Sequence, residues 1–168
     1  MPNEELKKYV GVLGIGCTLL SDLGFGIFMI HALREKYRFP ENVDLIDGGL
    51  LGVGLTGIIA QMDHLIVIDV ICNQGRSGDI LRLEGPQILE RLNAKNHIHQ
   101  VEFLEALAHC QILASAPQTI LLAIVPEDVE TLACKLTPVL TDKIDTMAAY
   151  VLRELDRLGV SYEKKEFV

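Results

Sequence analysis

The sequence predicts an α/β fold: three layers, with a twisted, mostly parallel sheet of about five strands and helices on both faces. Three observations carry that prediction. Residues 65–70 (LIVIDV) and 119–125 (TILLAIV) are short continuous apolar runs without the polar alternation of a half-wet strand, the mark of strands buried on both faces. Such runs alternate along the chain with segments whose apolar residues recur at helical spacing. Glycines and prolines (Gly14, Gly16, Pro40, Pro126, Gly159) fall between the two kinds of segment. Strand and helix in alternation fold as parallel strands joined by crossover helices.

Residues 10–15 form the first apolar, β-prone run, closed by Gly14 and Gly16. Residues 26–37 follow with Ile27, Ile30, Leu33 and Tyr37 at helical spacing, and Pro40 blocks continuation. Residues 43–46 read as a second strand running into Asp47-Gly48-Gly49, and the Gly-rich apolar stretch 50–61 as a close-packed helix. After the strand at 65–70, residues 79–83 alternate as an edge strand would, and 86–92 and 99–113 read as helices. The second carries Val101, Leu104, Leu107 and Ala108 on one face. The strand at 119–125 stops at Pro126, and a long helix over 141–158 ends at Gly159.

With 168 residues the chain fits one domain, 1–168, with a core over about 9–159 and a polar tail, 160–168, expected to fray. The 49% hydrophobic fraction excludes a disordered chain. A net charge of −8, with no basic tract, aromatics at 5% and no Trp, excludes nucleic acid as a partner. Residues 106–126 lack Asp, Glu, Lys and Arg, yet His109, Gln111, Ser115, Pro117 and Gln118 would be costly in lipid, so no membrane insertion is expected. The apolar stretch before Cys17 is too short for an export signal. Cys17, Cys72, Cys110 and Cys134 form no C-x-x-C pair and suit reduced thiols in a cytoplasmic protein.

Ligands of open α/β sheets bind beyond the carboxyl ends of the strands. Asp22, Asp47 and Asp69 follow or end the first three strands, and three such carboxylates are expected to converge on one rim. Asp69 stands inside an apolar run, where a carboxylate needs a partner. His97 and His99 begin a predicted helix near the same rim, whereas His31, His64 and His109 read as structural. Asp22 and Asp47 also fit turn formers or N-caps, and Cys17 and Cys72 small apolar fillers. Carboxylate with imidazole suits a mononuclear site for Zn, Ni, Mn or Fe(II). Gly14-x-Gly16 supplies only two glycines of a dinucleotide fingerprint, with Leu19 at the third.

In order, the chain carries Gly14-x-Gly16-x-x-Leu19-x-x-Asp22-x-Gly24-x-Gly26, Asp47-Gly48-Gly49, Asp63-His64-Leu65-Ile66-x-x-Asp69, His99-Gln100, Val125-Pro126-Glu127 and Leu136-Thr137-Pro138. This set resembles the hydrogenase maturation endopeptidases over nearly the whole chain. These proteases trim the C-terminus of the large subunit of nickel-iron hydrogenases. The resemblance implies a compact, mostly parallel α/β fold. It implies recognition of nickel already loaded into the large-subunit precursor, followed by removal of a C-terminal extension. Nickel is thus carried by the substrate, and another divalent metal can stand in for it. The metal-contacting residues implied are Asp69, His99 and a carboxylate of the first loop, taken as Asp22; Asp22 and Asp47 are the implied catalytic acids. One position departs from the family. Ungapped alignment puts the first-loop carboxylate at Leu23, and Cys17 replaces an Asn. Three readings follow: Asp22 takes over the role, the site uses Asp69 and His99 with Cys17 or water, or the chain is a non-cleaving assembly paralogue. A nucleotide-binding α/β enzyme is the remaining alternative.

Overall fold

The structure is a computed structural model describing residues 8–72, 75–92 and 98–166, with the side chains of 91–92 and 98–102 outside that description. His97 therefore lies outside the described residues, and His99 is placed by its backbone alone.

A five-stranded sheet is built from β1 (Val10–Ile15), β3 (Val43–Gly49), β4 (His64–Val70), β5 (Ile80–Glu84) and β6 (Gln118–Ile124), in the order β3-β1-β4-β6-β5. All neighbours are parallel except β5, which runs antiparallel to β6 at the edge predicted for it. The helices are α1 (Phe25–Lys36), α2 (Thr56–Ile59), α3 (Pro86–Leu92), α4 (Ile98–Ile112), α5 (Pro138–Thr141) and α6 (Ile144–Arg157).

The period-2 alternation of strand side chains divides the core into two layers. Val10 and Val12 of β1, Ile66, Ile68 and Val70 of β4 and Leu122 and Ile124 of β6 pack with α1 and α6. The intervening Leu13, Ile15, Leu65, Val67, Leu121 and Ala123 pack with α2, α3 and α4. Every residue of β4 is buried, as its unbroken apolar run requires.

Two expectations fail. The stretch 50–61 holds only a 3-10 turn (Gly52–Leu55) and the single turn of α2, because Gly52 adopts φ 45° and breaks the helical path. The tail expected to fray is held: β7 (Glu163–Lys164) pairs antiparallel with β2 (Tyr37–Arg38), the Lys165 amide donates to the Lys36 carbonyl, and Tyr162 packs edge-on against Tyr37, 6.0 Å between ring centroids. Aromatic contact anchors a segment whose composition alone reads as loose.

α1 lies very close to the sheet. A Cβ on Gly26 would overlap the carbonyls of Ile15 and Ile68, and one on Gly14 would overlap the Gly26 carbonyl. These glycines let the helix start directly over the ends of β1 and β4.

Candidate active site

The loop after β1 is tied down along its length. Gly16 has φ 142°, and a side chain there would strike the Leu23 carbonyl. That carbonyl accepts the Cys17 amide at 3.1 Å, and the Gly16 amide donates to the Gly49 carbonyl at 3.2 Å. On its other side the loop is zipped to the segment after β6. The Ser21 amide donates to the Ala133 carbonyl, the Ala133 amide to the Leu19 carbonyl, and the Asp22 amide to the Asp128 carbonyl.

Asp22 is the knot of this junction. Its side chain is completely buried (0% exposed) and its two oxygens accept four hydrogen bonds. Oδ2 receives the amides of Glu127 (2.9 Å) and Asp128 (3.0 Å) and the Thr137 hydroxyl (3.0 Å); Oδ1 receives the Thr137 amide (2.8 Å). A buried carboxylate is tolerated when backbone donors surround it. These bonds engage both oxygens of Asp22 within the protein, where the sequence expected a metal ligand and catalytic acid, and clamp the first loop to residues 127–137. Glu127 and Thr137 belong to two of the motifs that carried the resemblance, and the clamp is their physical use. Thr137 also caps α5, its hydroxyl accepting the Leu140 amide, with Pro138 in the first turn.

Leu23 turns inward as well. It is 6% exposed and joins the core layer of Phe25, Met29, Leu122 and Leu140. Cys17 is half-buried against the same layer and Cys72 is half-buried, while Cys134 is exposed.

Asp47 and Asp69 end their strands on opposite faces of the sheet. Asp47 pairs in register with Gly14 and continues the row of Val43 and Leu45, which faces α1. Its side chain is 41% exposed, Oδ1 accepts the Gly49 amide at 3.2 Å, and Oδ2 lies 3.5 Å from Nε2 of His31 on α1. Asp69 pairs with Ala123 and continues the row of Leu65 and Val67, which faces the layer of α4. It is 3% exposed, and Oδ1 accepts the Val70 amide at 2.7 Å. His99 lies in the first turn of α4. The three predicted carboxylates therefore do not converge: one is enclosed and the other two leave the sheet on different faces. Among the described residues, no three His, Cys, Asp or Glu side chains come together as a metal cage. His31, which the sequence read as structural, meets Asp47 at this strand end.

His64 begins β4 at the other end of the sheet, where burial and then the charge of Lys8 lower its pKa against the opposing pull of Asp63. A cavity of about 1060 Å³ also opens at that end, lined among others by His64, Arg82, Ile88, Leu104, Gln118 and Glu154, and not by Asp22, Asp47 or Asp69. No helix among the described residues is long and apolar enough to cross a membrane. The glycine loop passes through a 3-10 turn (Ser21–Gly24) before α1 begins, so no helix N-terminus follows Gly16 directly as a dinucleotide site requires.

A family model for hydrogenase maturation proteases matches residues 27–154. The hydrogenase 2 maturation protease of Escherichia coli is 30% identical over 94% of this chain and 96% of its own length. The hydrogenase expression/formation protein HupD of Bradyrhizobium diazoefficiens is 29% identical over 98% of this chain and 87% of its own. The fold is similar to that of the hydrogenase maturating endopeptidase HybD from E. coli, with a TM-score of 0.88 at 29% identity, covering 94% of this chain and 98% of that one. The chain belongs to the hydrogenase maturation protease family.

Proposed function

We propose that this chain is a cytoplasmic endopeptidase that recognises the nickel-loaded large-subunit precursor of a nickel-iron hydrogenase and removes its C-terminal extension. The observation that carries this reading is Asp69, a carboxylate almost fully buried at the end of β4 and facing the layer whose helix α4 carries His99 in its first turn. A carboxylate and an imidazole so placed suit a borderline divalent ion such as nickel, brought in by the substrate, and another divalent metal can replace it. With Asp22 enclosed and Leu23 in the core, Asp69 and His99 are the protein groups offered to that nickel. Asp47, half-exposed at the end of β3, is the group that accepts and returns a proton during hydrolysis. Exposed Leu19 and Leu132 flank the Ala133–Leu19 hydrogen bond, and exposed Leu50 and Leu51 follow Gly49. These apolar side chains support docking of a large protein substrate at the strand ends.

A second reading, a non-cleaving assembly factor of the same family, is favoured by Leu23, which puts an alkyl group where the family carries an acid. Mass measurement of nickel-loaded precursor before and after mixing separates the two. Wild type is expected to shorten the precursor, and Asp69→Asn and His99→Ala to slow that step. If both variants process as fast as wild type, the proposed site is wrong. If wild type binds precursor and leaves its mass unchanged, the assembly-factor reading replaces the protease.

A further inference from the structure

We propose that His31 is a positioning residue for Asp47, which rests on the reading of Asp47 as the proton-handling group. A carboxylate attached to a strand end rotates unless both oxygens are held. Gly49 holds one: its amide lies 3.2 Å from Oδ1, in a turn where Gly49 adopts φ 46°. The other oxygen, Oδ2, faces Nε2 of His31 at 3.5 Å. Only the Gly49 bond is closed at hydrogen-bond length; the imidazole stands just beyond it, within reach of Oδ2, and a small side-chain rotation brings the two together and fixes the plane of the carboxylate.

This imidazole is not a packing residue. The side chains of His31 and Asp47 are 57% and 41% exposed, so little apolar area depends on their contact. α1 is docked on β3 by other means. Arg34, one turn further along, donates from Nη2 to the Leu45 carbonyl at 2.5 Å, and the Gly14–Gly26 approach seats the first turn of the helix. Neighbouring charges on α1 are Arg34 and Glu35; the Arg34 guanidinium is engaged by that carbonyl, which leaves Asp47 as the group that meets the imidazole. The remaining described imidazoles with placed side chains stand elsewhere, His64 at the start of β4 and His109 near the end of α4.

The test is a double-mutant cycle on precursor cleavage, read by mass under single-turnover and steady-state conditions. His31→Ala is expected to lower kcat about three- to tenfold with KM unchanged, the range of coupling between two groups in contact. His31→Gln, which keeps an N–H to offer Oδ2, restores at least half of that loss. In an Asp47→Asn background His31→Ala has no further effect. The thermal midpoint moves little in either His31 variant, since a solvent-exposed pair adds little to stability. A loss confined to KM, a loss that His31→Gln does not restore, or the same loss in the Asp47→Asn background overturns the positioning role. Wild type that leaves the precursor intact removes the protease reading and this inference together. Wild type that cleaves while Asp47→Asn cleaves equally fast removes the role of Asp47 and leaves the protease standing.

Discussion

Replacing Asp22 tests whether its carboxylate is a clamp or a ligand. The four donors on it divide unequally: three meet Oδ2 and one meets Oδ1. Asp22→Asn, with its amide oxygen at the Oδ2 position, keeps the three and turns an NH2 group against the Thr137 amide. One buried donor is then unsatisfied, at a cost of about 1–3 kcal/mol. Asp22→Ala removes every acceptor and leaves three amides and a hydroxyl without partners in a site closed to water. Its expected cost is larger, about 3–5 kcal/mol, the range for breaking a buried charged network. Urea denaturation reads both, as a lower midpoint at unchanged slope. For a chain of this length each kcal/mol corresponds to about 2–4 °C in Tm. Asn must fall between wild type and Ala. Two results refute the reasoning: an Asn variant within about 0.5 kcal/mol of wild type, below the cost of an orphaned buried donor, or an Asn variant of full stability that no longer processes precursor, which places Asp22 in the chemistry.

Three further substitutions probe other parts of the argument. Leu23→Glu puts a carboxylate into a closed apolar layer and is expected to destabilise by more than Leu23→Ala, itself worth about 2–4 kcal/mol; a glutamate variant as stable as wild type shows that position 23 can open to the surface. Gly26→Ala drives a methyl into the Ile15 and Ile68 carbonyls and is expected to cost about 1–3 kcal/mol or more, read by thermal melting, whereas Gly57→Ala, where a Cβ meets nothing, stays near neutral. Glu154, 2% exposed, is pushed up by burial, but hydrogen bonds from Arg82 and Arg157 outweigh that and hold its carboxyl below the usual range. A depressed folded value means that this stabilisation is present above the unfolded value, about 4.3, and is lost as pH falls through the folded one. Glu154→Gln is expected to cost about 1–3 kcal/mol at neutral pH and to flatten the acid limb of stability; an unchanged acid limb removes Glu154 from that account.

Most of the architecture was legible in the chain. The runs LIVIDV and TILLAIV are β4 and β6 within a residue or two, and the alternating segment after Gly78 is the antiparallel edge strand β5. Burial on both faces leaves an unmistakable pattern in sequence, because every position must then be apolar. Asp69 was legible for the same reason, as the one acid in such a run. Asp22 was legible as important, but its hydrogen-bond partners were not. Its partners lie 105 to 115 residues away, and spacing along the chain carries no trace of them.

By itself, then, the sequence determined the parallel α/β class, the strand ends as the place to look, and the family whose motifs it carries in order. These follow from local regularities, apolar periodicity and glycine placement, that are printed residue by residue. The tertiary structure alone decided which acids face outward. Strand register sends Asp47 toward α1 and Asp69 toward α4, since neighbouring strands fix which parity meets which layer. The packing of the first loop against residues 127–137 encloses Asp22 and turns Leu23 into the core. That enclosure depends on donors brought together only when the chain has folded, so an acid that the sequence sets at the strand-end rim is one the fold closes off.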